Sequence, residues 1–351
     1  MKRISAIYLL LSTLFAAAQN QTSNPFTFQG YGELYYSFDF SNPQNHEKPS
    51  FLYNHKRHNE VSLNLAFIKA SYNKQNIRAN AALMLGNYAQ YNLSSEPNWA
   101  QFIYEANIGF KISDKHNIWV DAGIMPSHIG FESAVSADCW TLTRSLMAEN
   151  SPYYETGVKI SYTDASEKFN ASFYVLNGWQ KIQKPDNMQN PSVGLQLNYK
   201  PNSKLTLNYS NFIGSDKPDD LNALRLFHNL YAMYEPSKKL GFIAGLDVGT
   251  DKYDLENYDV WYAPICIIRY KPVEKYRIAI RGEYYNDKKQ ILIATNTENG
   301  FQTFGVSTNF DIQFKENMIW RIEAKEYASK DKIFDGSNSN FTLSTSLTIK
   351  F

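Results

Sequence analysis

The chain has 351 residues, with 35 Lys and Arg against 34 Asp and Glu, and two cysteines, Cys139 and Cys266. This balance offers no basic surface for nucleic acid, and two isolated cysteines exclude a disulfide framework and read as free thiols. Aromatic residues make up 15% of a chain that is hydrophilic on average. Strands with one apolar and one polar face produce that combination without long apolar runs.

The chain opens with MKRISAIYLLLSTLFAAAQN. Lys2 and Arg3 precede an apolar stretch from Ile4 to Phe15, and Ala16 to Ala18 supply small residues for cleavage. Residues 1–18 are therefore expected to be a secretory signal peptide, with residues 19–351 forming one domain. No later stretch approaches the roughly 18 apolar residues of a spanning helix.

In 26–40, FTFQGYGELYYSFDF, the residues Phe26, Phe28, Leu34, Tyr36, Phe38 and Phe40 share one parity, with Gly30 and Gly32. Thr27, Gln29, Glu33, Ser37 and Asp39 share the other. The same period of two recurs in 101–112, 193–199, 240–248, 276–284, 304–314 and 318–325. It argues for amphipathic strands rather than helices.

Short polar links near 73–76, 113–117, 163–168, 200–203, 235–239, 271–275 and 315–317 read as hairpin turns. They alternate with longer links near 41–57, 88–100, 128–152, 180–190, 214–223, 251–256, 286–300 and 328–340. The pattern predicts an all-β protein, a transmembrane antiparallel up-and-down barrel of about sixteen strands. Short periplasmic turns and long external loops account for the sorting of link length.

The chain ends in FTLSTSLTIKF, alternating to the last residue. A final strand that closes the barrel places Phe351 in the apolar outer band and Lys350 in the periplasmic mouth. A terminal aromatic on such a strand is similar to the signal by which barrel-assembly machinery recognises its substrates.

Several blocks resemble the β-barrel porins of the OmpL-like type common in Bacteroidetes. They are GYGELYYSFDF (30–40), HNEVSLNLAFIKASY (58–72), GIMPSHIGFES (123–133), SLMAENSPYYETGVKISYT (145–163), EYYNDKK (283–289) and NGFQTFGVSTNFD (299–311). The resemblance implies an outer-membrane porin that passes small hydrophilic solutes and ions. It supplies no catalytic residues. The expected partners are outer-membrane lipid, the solutes, the assembly machinery and a possible second copy of the chain; no cofactor or metal is expected.

If the apolar parity faces lipid, charges belong inside, because a charge on the lipid face costs about 2–4 kcal/mol at mid-membrane. Parity then places Glu33, Glu105 and Asp121 on the inner wall of the N-terminal half. In the C-terminal half it places Arg269, Arg277, Arg281, Glu283, Arg321, Glu323 and Lys325 inside, so that one arc is rich in cations. That arc is either a selectivity wall or a set of paired charges, and both readings stand.

The long link 128–152 carries Glu132, Asp138, Arg144 and Glu149 among Ile129, Phe131, Val135, Trp140, Leu142, Leu146 and Met147. So apolar a loop is expected to fold into the lumen as a constriction, docked on the basic arc. His46, His55 and His58, with Glu47, read as a solvated external loop rather than a metal site. His228, in LRLFHNLYAMY, has no Ser in its strand to make a catalytic pair, and its face is open. The alternatives to a porin are a barrel enzyme of lipase or protease type and a plugged barrel serving as a receptor or assembly subunit.

Overall fold

The computed structural model describes residues 24–351 apart from 222 and 253–257. The expected signal peptide, residues 1–18, lies outside the described residues. Sixteen strands form one closed antiparallel barrel in which each strand pairs with its chain neighbours. They are β1 (Phe26–Asp39), β2 (Val61–Lys74), β3 (Ile77–Leu85), β4 (Ile103–Lys111), β5 (Asn117–Pro126), β6 (Tyr154–Thr163), β7 (Phe169–Leu176) and β8 (Ser192–Asn202). The second half comprises β9 (Leu205–Gly214), β10 (Leu224–Tyr234), β11 (Leu240–Lys252), β12 (Tyr258–Val273), β13 (Tyr276–Asp287), β14 (Phe301–Lys315), β15 (Met318–Ser329) and β16 (Ser339–Lys350).

Closure joins β1 to β16, with Leu34 opposite Leu347 and Tyr31 opposite Lys350. Closure leaves no unpaired sheet edge, which a bilayer would not tolerate. The outward parity is apolar, and Phe28, Leu34, Ile68, Leu83, Ile108, Ile280 and Phe304 are all exposed to the lipid side. Wall height is uneven: β3 to β7 have 8–10 residues, whereas β12 has 16 and β14 has 15.

The inner face departs from a simple polar lining. Toward the external mouth, Tyr174, Phe212, Phe227, Trp261, Tyr285, Phe301 and Tyr327 point inward and are buried. External links fold over the mouth and cover them with Phe51, Phe334 and Trp179. Apolar inward residues are stable there because a loop, not water, meets them.

The same folding corrects the expectation for the first long link. His55 and His58 are buried, not solvated. His55 Nε2 meets Glu33 Oε1 at 3.1 Å, and His58 Nδ1 accepts from the Asp39 N–H at 2.9 Å. His228 faces outward, with Tyr209 Oη 2.8 Å from its Nδ1. Cys139 and Cys266 are both free.

Phe351 continues the β16 edge by exchanging two backbone hydrogen bonds with Gly30, at 2.7 and 3.0 Å. Its exposed ring lies over Gly30, where a Cβ would sit 2.2 Å from it. Deleting Phe351 removes both bonds and an apolar group from the outer band. The deletion is expected to lower the yield of folded, membrane-inserted protein well below that of Lys350→Ser, and equal yields would refute this role.

Candidate functional site

The link between β5 and β6, residues 127–153, enters the barrel from its external end. The Ser127 N–H donates to Tyr153 O at 3.0 Å and closes its neck. Within the link only Asp138 is exposed. A segment without regular structure must satisfy its backbone groups some other way. Here the barrel wall and the link's own side chains supply the partners.

His128 forms the descending hinge. Its ring stacks on Tyr174, with centroids 4.3 Å apart. Nδ1 lies 2.7 Å from Glu155 Oε2, and Nε2 lies 2.8 Å from the Asn211 carbonyl oxygen. Only the imidazolium can donate to both. Burial pulls the His128 pKa down, but the Glu155 carboxylate and the two bonds outweigh it and leave the pKa raised. A raised folded-state pKa means that the stabilisation is complete below the unfolded value of about 6.5 and is lost as pH rises through the folded value. The stability gap between wild type and Glu155→Gln in urea should therefore shrink as pH rises from about 6 to 9; a constant gap would contradict the charged hinge.

Arg144 staples the link to itself. It donates to the carbonyl oxygens of Ser133, Leu142 and Ala134 at 2.6, 2.9 and 3.3 Å. Ser145 caps the short helix α1 (Leu146–Glu149) by accepting from the Ala148 N–H. Glu149 accepts from the N–H groups of Tyr53 and Asn54 at 2.8 and 3.2 Å and so ties the link to the first external loop. Burial raises the Glu149 pKa, and these N–H donors oppose the rise.

The wall from β13 to β15 then receives the link's backbone. Carboxylates and an amide take its N–H groups: Thr143 N to Glu323 Oε2 at 2.5 Å, Leu146 N to Glu283 Oε2 at 2.6 Å and Leu142 N to Asn309 Oδ1 at 2.9 Å. Cations take its carbonyls. Arg281 donates to Thr143 O and Thr141 Oγ1, both at 2.8 Å, and Lys325 to Arg144 O at 2.9 Å. Arg321 donates to Ser136 O at 2.5 Å and Cys139 O at 3.1 Å. On β1, Glu33 accepts from Ser136 Oγ at 2.5 Å.

The charges here are also paired with each other. Arg281 lies 3.0 Å from Glu323, 3.4 Å from Glu283 and 3.6 Å from Glu132. Arg321 lies 2.8 Å from Asp311, and Lys325 lies 3.4 Å from Glu283. Arg281, Glu283, Arg321, Glu323, Lys325 and Glu33 are thus buried beneath the link, where they hold it instead of facing open water.

The link reaches the periplasmic end of the wall. Trp140 stacks on the Arg269 guanidinium at 3.9 Å and lies on Gly241, where a Cβ would sit 2.6 Å from the ring. Asp138 pairs with Lys350, and Arg269 pairs with Glu235. Arg277 stands nearby and donates to Gln313 Oε1 at 2.7 Å.

The wall opposite stays polar and accessible. Arg78 on β3, Gly109 on β4, Asp121 on β5 and Lys159 on β6 form one register row. The missing side chain of Gly109 lets Arg78 cross to Asp121 at 2.5 Å, and Lys159 joins at 3.3 Å. One step away, Lys69 reaches Glu105 at 2.5 Å. In both groups the cations are the exposed members: the side chains of Lys69, Arg78 and Lys159 are 22%, 31% and 24% exposed, against 6% and 5% for Glu105 and Asp121. Sequence reasoning placed Glu105 and Asp121 inside but passed over these cations. Parity on β2, β3 and β6 was the signal that could have found them.

The fold is that of solved porins at low sequence identity. The anion-selective porin of Comamonas acidovorans matches with a TM-score of 0.62 and 10% identity, covering 93% of this chain and 99% of that one. The outer-membrane channel DcaP of Acinetobacter baumannii matches with a TM-score of 0.60 and 10% identity, covering 93% and 97%. OmpT of Vibrio cholerae lacking loop L8 matches with a TM-score of 0.58 and 12% identity, covering 93% and 100%. No curated protein matches the sequence significantly. Residues 25–351 match the family described as "Putative beta-barrel porin-2, OmpL-like". The chain belongs to that family, and it is a porin of the outer membrane through which small solutes diffuse.

Proposed function

We propose that solutes pass between the docked link and the β2–β9 wall, and that this passage weakly favours anions. The observation that carries the reading is the asymmetry of exposure in the two wall clusters. Lys69, Arg78 and Lys159 face the water, while Glu105 and Asp121 lie beneath them. Ser71, Asn80, Asn170, Gln196 and Asn198 continue the same inward parity and offer neutral hydrogen bonds to a hydrated solute. Arg277 adds positive charge at the periplasmic mouth. Charged side chains bias ion passage where the bore is narrow, and the docked link narrows it.

Arg281, Arg321 and Lys325 act differently on this reading. Their charges are balanced by Glu283, Glu323, Glu132 and Asp311, so they set the link's position more than the sign of the pore. The test is the reversal potential in a salt gradient. Lys69→Gln, Arg78→Gln and Lys159→Gln together should shift it toward cations, and Lys238→Gln with Lys239→Gln, in a periplasmic turn, should shift it far less. If both variants keep the wild-type potential, the pore is a size filter only.

A further inference from the structure

The external links leave a cavity of about 310 Å³ at the mouth of the barrel, apart from the wall clusters considered above. Tyr53, Asn92, Ser151, Trp179, Asp216 and Leu292 line it, each from a different external link. Because Ser151 belongs to the docked link, the cavity stands where that link meets the external mouth.

Two polar side chains of the lining are at least nine-tenths buried: Asn92 is 6% exposed and Ser151 9%. Neither side chain has a hydrogen-bond partner among the described residues. Asn92 Nδ2 is sealed, whereas Asn92 Oδ1 and Ser151 Oγ keep accessible surface. Buried polar groups are bonded in the great majority of cases, so two unmatched ones on one cavity point to a ligand there. Tyr53 Oη and Trp179 Nε1, also in the lining, lack protein partners and stay accessible in the same way.

The two rings differ in how they are held. Trp179 packs edge to face with Phe212 and Phe227, at centroid distances of 5.0 and 4.9 Å, and the Arg225 guanidinium lies 5.0 Å from its ring. This packing fixes the direction of its indole N–H. Tyr53 is half-buried, and its ring has no aromatic or cationic partner among the described residues. It therefore offers an apolar face to the cavity.

The charged groups of the lining are already engaged. Glu149 takes the Tyr53 N–H at 2.8 Å and the Asn54 N–H and Nδ2 at 3.2 Å. Asp216 lies 2.9 Å from Arg225. Lys181 donates to Ser95 Oγ at 3.5 Å in an exposed position, where solvent screens its charge. What remains unmatched is uncharged: two acceptors, two donors and an aromatic face.

We propose that this vestibule binds one unit of a neutral sugar, with its C–H face on the Tyr53 ring, one hydroxyl accepting from Trp179 Nε1–H and others donating to Asn92 Oδ1 and Ser151 Oγ. A pyranose carries donors, acceptors and an apolar face on one rigid frame; an ion or a hydrocarbon tail would match only part of that set. The volume stands at the lower end of the roughly 300–1,000 Å³ of small-molecule pockets, which suits a single ring.

The test is titration of the refolded full-length chain in detergent, followed by tryptophan fluorescence, with Trp179 as the reporter. The probes are glucose, galactose, mannose and xylose, with sorbitol as an open-chain counterpart. At least one of the four sugars should give a saturable change with a millimolar midpoint. Sorbitol should bind at least about tenfold more weakly, because it has no rigid ring face and loses more freedom on binding. Asn92→Leu and Tyr53→Ala should each weaken the sugar by about tenfold. The Asn92 side chain bonds nothing in the chain, so Asn92→Leu should keep the wild-type resistance to heat on a detergent gel. If either variant fails to fold, the sorbitol comparison in the wild-type protein still decides. No saturable change with any of the four sugars would mean that the cavity holds water only. Equal binding of sorbitol, undiminished binding by the folded variants, or a fluorescence change that persists in Trp179→Phe would also overturn the site. The site deepens the porin reading by naming a solute class, yet the measurement needs only folded chain. A protein that binds the sugar but does not conduct would refute the porin and leave the site standing.

Discussion

Replacing residues 133–147 by a short Gly-Ser link should raise the single-channel conductance several-fold. A barrel of about sixteen strands encloses an aqueous lumen unless something fills it. The link occupies part of it here, with all but one of its residues at least partly covered. Barrel closure does not depend on it, since every strand is paired on both sides by other strands. The neck bond between Ser127 and Tyr153 lies outside the deleted stretch, so the external end keeps its shape. Recording wild type and deletion in the same salt gives the ratio. Equal conductance would show that the link does not obstruct the path.

Arg281→Met should free the link while leaving the barrel closed. Arg281 makes three hydrogen bonds to the link, at Thr141 and Thr143, and meets Glu132, Glu283 and Glu323. Removing one member of a buried ion cluster costs about 3–5 kcal/mol, because its partners stay charged and uncompensated. Undocking the link lets water reach those carboxylates, whereas unfolding the wall would cost far more. The expected signs are protease cleavage within 133–145 of otherwise folded protein, and a noisy, enlarged conductance. Adding Glu323→Met should recover part of the loss, since a well-packed apolar pair can replace a buried ion pair at little cost. Resistance to protease equal to wild type would mean that Arg281 does not hold the link.

The barrel was legible because pleating turns position into parity. In FTFQGYGELYYSFDF, Leu34 and Glu33 face opposite sides whatever the tertiary context. Link length marked the ends of the barrel for the same local reason. What could not be read were contacts between side chains and a distant irregular backbone. Thr143 and Glu323 are 180 residues apart, and nothing near either announces the hydrogen bond. Parity placed Arg321 on the inner wall without naming its partner, which is Asp311, opposite it on the neighbouring strand β14.

Burial by folded loops was equally hidden. His55 looked solvated because its link is polar, and Glu33 lies on a strand more than twenty residues earlier. Tyr285 and Phe301 share the inward parity with Arg281 and Ser307. Only the cover supplied by Phe51 and Phe334 explains why apolar rings stand inside a water-facing wall.

The central claim is a water-filled path through the barrel, narrowed by the 127–153 link. It is tested most directly by single-channel recording of the purified, refolded chain in a planar bilayer. The account predicts stepwise, ohmic conductance increments from protein whose unboiled form migrates as a folded barrel on a detergent gel. Folded protein that inserts into the bilayer and passes no current would contradict it and establish a closed, plugged barrel.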